Sequence, residues 1–185
     1  KRPFDRAALE GNEKTLRWAR AGLKYWQNLQ HSDGSFDEAY PSEQSLAATA
    51  FTCFYLGESY LMLIEDLPEP EKESLRKTFL KAGNWLCNND EKHGILSNHL
   101  AVAAVSLFVI FKITGDTRFE QRSKYFLTRI YSCQSKEGWY EEYGGVDVGY
   151  QTHTIFYLAR LWQYTHDEEL LASLNKSISF QKYLI

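Results

Sequence analysis

An all-α domain of repeated helical hairpins is predicted by three observations. Amphipathic segments alternate with segments apolar on nearly every side, matched turn signals recur along the chain, and strand signals are negligible. The first element runs from Asn12 to Leu29, where Leu16, Ala19, Leu23 and Trp26 fall at helical spacing with Lys and Arg between them. Leu46 to Ile64 carries so few charges that it is expected to be buried on most sides. Glu-Asp-Leu-Pro-Glu-Pro at 65–70 then breaks the helix. Leu75–Leu86 and Phe119–Tyr131 repeat the amphipathic pattern, and Leu100–Ile113 and Thr154–Tyr164 repeat the apolar one. Thr114-Gly115-Asp116 and Thr165-His166-Asp167 stand 51 residues apart, each closing an apolar helix. Their aspartates are placed to cap the amphipathic helix that follows, so a seventh helix is expected after Asp167.

The 185 residues are enough for one domain (1–185), or a half-domain of a longer chain, and 44% hydrophobic content supplies a sizeable core. A net charge of -3 with no basic run gives no electrostatic reason to expect a nucleic-acid partner. The longest apolar stretch, Leu100–Phe111 interrupted by Ser106, is too short to span a bilayer, so no membrane partner is expected. Cys53, Cys87 and Cys133 are odd in number and form no CxxC pair. Free thiols in a reducing, cytoplasmic setting are the expectation, with no metal and no cofactor. The chain opens on Lys1 rather than Met and shows no signal peptide, which suggests a processed product or a fragment.

The loops between amphipathic and apolar helices echo one another. They run "QHSDGSF" at 30–36, "NDEKHGIL" at 89–96 and "QSKEGWY" at 134–140, each with a glycine after a polar stretch and an apolar residue just beyond. By this alignment Trp139 is the counterpart of Phe36 and a structural plug. A period of roughly 45 to 60 residues marks a helical-hairpin repeat.

"RAGLKYWQNLQHSDGSF" resembles the QW-type repeat of terpenoid cyclases and related toroids, and "RSKYFLTRIYSCQSKEGW" is a looser copy. The resemblance implies an (α/α) toroid, or an arc of one, in which inner helices point their N-termini at one rim. A complete toroid has more helices than the seven counted here, so an open arc is expected. Its exposed apolar faces would be covered by the missing remainder of the toroid or by a second copy.

Function is expected on the rim, in Asp33–Gln44, His93–His99 and Glu137–His153. Asn98 and His99, at the top of a buried helix, are similar to an Asn-His pair in heparinase II/III-like polysaccharide lyase toroids. That resemblance implies that Asn98 neutralises a uronate carboxylate and that His99 takes part in proton transfer. In "EGWYEEYGGVDVGYQTH" the acids Glu141 and Glu142 and the phenol of Tyr150 are similar to a later lyase pattern, with Gln151 where that pattern has His. The implied role of Tyr150 is acid/base, with Glu142 a further catalytic group. Glu43, Tyr40, Tyr143, Asp147, Gln151 and His153 complete a substrate-binding set for a carbohydrate.

Two alternatives stay open. A glycoside hydrolase needs paired carboxylates about 5 to 10 Å apart, which Glu43 with Glu142 or Asp147 could supply. A non-catalytic scaffold, or an isoprenoid-type domain, is the other. "GGVDVGYQTHT" is similar to the zinc stretch of protein prenyltransferase β-subunits, with Asp147 matching a ligand and Gly149 standing where the thiolate belongs.

Overall fold

Helices without a polar face have to be covered on all sides, and the chain does this by alternating inner and outer helices. The computed structural model describes residues 13–184. Seven α-helices are found among them: α1 (Glu13–Leu29), α2 (Leu46–Leu63), α3 (Glu69–Asn88), α4 (Ser97–Thr114), α5 (Thr117–Cys133), α6 (Val148–Thr165) and α7 (Glu168–Gln181). A 3-10 turn, Ile64–Asp66, follows α2, and among the described residues the loops hold only isolated β-bridges. The fold is all-α and toroid-like, as the alternation predicts. The expected helix start at Asn12 lies outside the described residues.

Helix α4 is the hub. It packs against α2, α3, α5 and α6, and Leu100, Val102, Val105, Leu107, Val109 and Ile110 are all fully buried on it. Each such side chain contributes roughly 1.5–3 kcal/mol relative to exposure. The inner helices α2 and α6 flank α4, the outer helices α1 and α3 back the first pair, and α7 closes against α6. By length and composition α4 and the 46–66 segment could each cross a membrane, but here both are packed as inner core helices. Across the front of α4, α2 and α6 meet through side chains. The Tyr55 and Tyr157 hydroxyls lie 2.9 Å apart, and Arg160 Nε donates to Glu58 at 3.0 Å. Between α1, α2 and α6 runs a groove of about 780 Å³, whose wall includes Trp18, Phe54, Tyr55, Met62 and Phe156.

Helix ends follow the capping residues. Asp116 accepts from Arg118 N at 3.0 Å and Asp167 from Leu170 N at 2.7 Å, each just past a left-handed residue, Gly115 or His166. Helices α3 and α6 start furthest ahead of what apolar periodicity predicts. Pro68 stands at the N-cap of α3 without a side-chain bond, and Glu69, Pro70 and Glu71 fill its first turn, placing the start before Leu75. Asp147 accepts from Tyr150 N at 2.8 Å and starts α6 at Val148 rather than Thr154. Tyr150, Gln151 and His153 are therefore helical residues in the opening turns of α6, not loop residues.

The first and third inter-helix loops are built alike. Gln30 Nε2 donates to Gly34 O at 3.1 Å and, across to α3, to Thr78 O at 3.0 Å. Gln134 Nε2 donates to Gly138 O and, across to α7, to Ser173 O, both at 2.9 Å. Gly34 (φ +102) and Gly138 (φ +109) press against the next outer helix so closely that a Cβ would lie 2.3 Å from Lys81 O or 2.4 Å from Lys176 O. Two residues on, Phe36 N donates to Thr49 Oγ1 at 2.9 Å and Tyr140 N to Gln151 Oε1 at 2.9 Å. The counterpart of Phe36 is thus Tyr140, not Trp139. Tyr140 is the fully buried plug, whereas Trp139 is half-buried and donates from Nε1 to Glu137 at 3.0 Å. The second loop is held differently: Asp90 is bonded by Arg129 and by the Tyr125 hydroxyl, and Arg122 Nη2 donates to Asn89 O at 2.7 Å.

Candidate active site

The N-terminus of α4 has exposed backbone N–H groups to satisfy, and Leu96 before it offers no side-chain cap. The third loop supplies one. Ser97 N and Oγ both donate to Glu141 O, at 3.2 and 2.7 Å, and Glu142 Oε1 accepts from Asn98 N at 2.6 Å. Glu142 Oε2 accepts from Asn98 Nδ2 at 2.9 Å, and Thr154 Oγ1 adds a longer contact at 3.4 Å. A carboxylate at a helix N-terminus gains from the dipole as well as from the bonds. Both partners are buried, Glu142 at 3% and Asn98 at 2% exposed. Burial pushes the Glu142 carboxyl above the usual carboxylate range, against the pull of the two Asn98 bonds. The expected catalytic pair Asn98 and Glu142 is brought together, but each side chain is engaged by the other.

His99, next on the same turn, is 20% exposed at its side chain. Its Nδ1 lies 2.7 Å from Glu91 Oε2, and its ring meets Phe51 of α2 edge-on at 6.1 Å. Glu91 is 2% exposed at its side chain, and its other oxygen accepts from Lys92 N and His93 N at 2.9 and 3.0 Å. Burial alone would raise this carboxyl. The bonds from His99 and His93 outweigh it and hold the group down to about 2. Glu91 is the residue that sequence reasoning missed. One acid among three consecutive charged residues carries no periodic or motif signal, and only folding sets it between His93 and His99.

Tyr143, Tyr150 and His153 form the accessible part of the rim. Tyr143 is 67% and Tyr150 38% exposed, with ring centroids 6.1 Å apart. His153 follows at 6.5 Å from Tyr150 and 6.4 Å from Tyr157, which in turn packs 5.5 Å from Phe51. An unbroken aromatic path therefore links Tyr150 to the ring beside His99. Slight desolvation, then Tyr150, Glu142, Glu91 and Glu38, raise the Tyr143 phenol.

The remaining expected residues have structural employment. Gln151 is fully buried and clips the Tyr140 backbone at both ends, Nε2 donating to Tyr140 O at 2.5 Å. Both polar ends of its side chain are thereby engaged by backbone. Asp147 is the α6 cap. Glu43 Oε2 accepts from Glu38 N and Ala39 N at 3.0 and 2.8 Å, closing its own loop, and Tyr40 is exposed beside it. The carboxylates available to a paired-acid mechanism, Glu43, Glu142 and Asp147, each already accept from backbone N–H groups. Among the described residues no group of three His, Cys, Asp or Glu is placed to hold a metal ion.

No match to the chain is found among curated proteins or among solved structures. A family model does match, that of the ulvan lyase N-terminal domain, over residues 3–185. That span takes in every helix, all three rim loops and the Asn98–His99 turn together with Tyr150. The chain belongs to the ulvan lyase N-terminal domain family.

Proposed function

We propose that this chain forms the catalytic rim of a lyase that cleaves a uronate-containing polysaccharide, such as ulvan, by β-elimination. The observation that carries the reading is that His99 and Tyr150 stand in the opening turns of two inner helices that pack together, α4 and α6, with the Tyr143–Tyr150–His153–Tyr157–Phe51 ring path running between them, in a chain of a lyase family. In the proposed step His99 takes the proton from C5 of the uronate. The C5–H electron pair becomes the C4=C5 double bond, the C4–O bond breaks, and the Tyr150 phenol protonates the departing oxygen. Tyr143 and His153, exposed on either side of Tyr150, are the sugar-facing groups. The aromatic faces suit stacking against a pyranose ring.

Asn98 and Glu142 enter this scheme as the pair that seats the His99 turn, because their polar atoms already bond each other. Neutralisation of the uronate carboxylate is accordingly not assigned to Asn98. Tyr40, Glu43 and Asp147 are given loop and cap roles rather than substrate contact. The domain, residues 1–185, is proposed as an arc whose groove beside Trp18 and Phe156 is covered by further protein, either more of the toroid or a second copy.

The test is release of ultraviolet-absorbing unsaturated uronates from a panel of acidic polysaccharides by the full-length protein. Wild type is expected to release them, and Tyr150→Phe to lower kcat at least a hundredfold, within the range of general acid catalysis. Undiminished activity in Tyr150→Phe overturns the assignment of the acid. A second reading, a carbohydrate-binding scaffold without chemistry, is favoured by the mutual burial of Asn98 and Glu142. It predicts polysaccharide binding with no unsaturated product.

A further inference from the structure

We infer that Glu91 is a positioning residue for His99, fixing the imidazole with its proton on Nδ1 so that Nε2 is the nitrogen that accepts the substrate proton. The inference rests on the lyase reading for the step that His99 serves, but its structural half stands on geometry alone. A carboxylate has only acceptor capacity, so the 2.7 Å contact between Glu91 Oε2 and His99 Nδ1 requires the proton on Nδ1. In a neutral ring that leaves the Nε2 lone pair free, the arrangement a general base needs.

Glu91 is built to stay where it is. Its side chain is 2% exposed, and a buried carboxylate is tolerated only when its oxygens are bonded. Oε1 accepts from Lys92 N at 2.9 Å and His93 N at 3.0 Å and lies 2.9 Å from His93 Nδ1, while Oε2 is left to His99 alone. The low proton affinity of Glu91 keeps it an anion throughout the working range of a histidine base. Around His99, α2 contributes the uncharged ring of Phe51, loop 89–96 contributes Glu91 with Lys92 and His93, and the third loop contributes Glu142. Glu142 is occupied by Asn98, so Glu91 is the anion in direct contact with the ring.

A purely structural tie between loop 89–96 and α4 would look the same in a static picture, and the two differ in behaviour. Side-chain nitrogen NMR on the full-length protein should show His99 as the Nδ1–H tautomer in wild type and a mixed population in Glu91→Ala. Glu91→Gln, which keeps the shape, covers the case in which the alanine variant fails to fold. On a uronate polysaccharide Glu91→Gln should lower kcat tenfold or more with KM within twofold. In a His99→Ala background the same change should have no further effect on kcat, because Glu91 acts only through that ring. His93→Ala, which touches the other oxygen from an exposed position, should leave both tautomer and kcat as in wild type. A wild-type His99 carrying its proton on Nε2 overturns the inference whatever the activity, and so does an undiminished Glu91→Gln effect in the His99→Ala background. No unsaturated product from wild type, with the Nδ1–H tautomer present, overturns the lyase reading and the catalytic half together while leaving the hold of Glu91 on the ring established.

Discussion

The first and third rim loops hold to their neighbours in one way and the second in another. Loops 30–45 and 134–147 are fastened by a glutamine that donates to a carbonyl of the next outer helix, and by a glycine whose Cα rests on that helix's backbone. Loop 89–96 has no such glutamine, its Gly94 (φ +121) faces open space, and it is tied by the charges of Asp90, Arg122 and Arg129. The same loop carries Glu91 and leads into His99. Two loops are dedicated to spacing the hairpins, whereas the second is released from that duty and holds the buried acid.

The contrast can be broken most forcefully at the glycines. Gly138→Ala meets both a left-handed backbone and a carbonyl 2.4 Å from the new carbon, and should cost about 4 kcal/mol in urea unfolding. Gly94→Ala has the backbone strain without the collision, so about 1–2 kcal/mol is expected. Equal losses at the two positions would abolish the distinction.

Acid comes next. The folded Glu91 carboxyl sits near 2, below its unfolded value, so its contribution is complete above the unfolded pKa and is lost as pH falls from about 4.5 toward 2. Thermal melts over that window should show on the order of 3 kcal/mol of loss that Glu91→Gln no longer shows. Glu142 has the opposite sign, its raised value meaning that protonation relieves a burial cost as pH falls. Gln134→Ala removes the Nε2 bonds to Gly138 O and Ser173 O and the bond accepted from Ser173 Oγ, and should cost about 2 kcal/mol, independent of salt. Arg129→Ala removes a part-exposed ion pair and should cost under about 1 kcal/mol, shrinking further in 0.5 M salt.

The alternation of amphipathic and apolar segments was enough to foresee seven helices and their inner or outer places, because burial on all sides leaves a chain little choice. The aspartate caps at 116 and 167 were equally legible, being local. The starts of α3 and α6 were not, since proline, acid and an aspartate cap extend a helix beyond its apolar face. The site was legible in part. Asn98 and Glu142 do meet, and His99 and Tyr150 each stand in the opening turn of an inner helix, but that Glu142 caps α4 and Gln151 clips Tyr140 depends on partners 44 and 11 residues away. Aromatic character alone pairs Trp139 with Phe36, whereas hydrogen bonding puts Tyr140 in that place.

The seat of Gly34 and Gly138 against main-chain carbonyls has a consequence for how such proteins diversify. A contact between two backbones has no side chain to trade, so it behaves as a fixed gauge for the pitch between successive hairpins. Exchange of an exposed rim side chain such as Tyr143 therefore need not disturb that pitch.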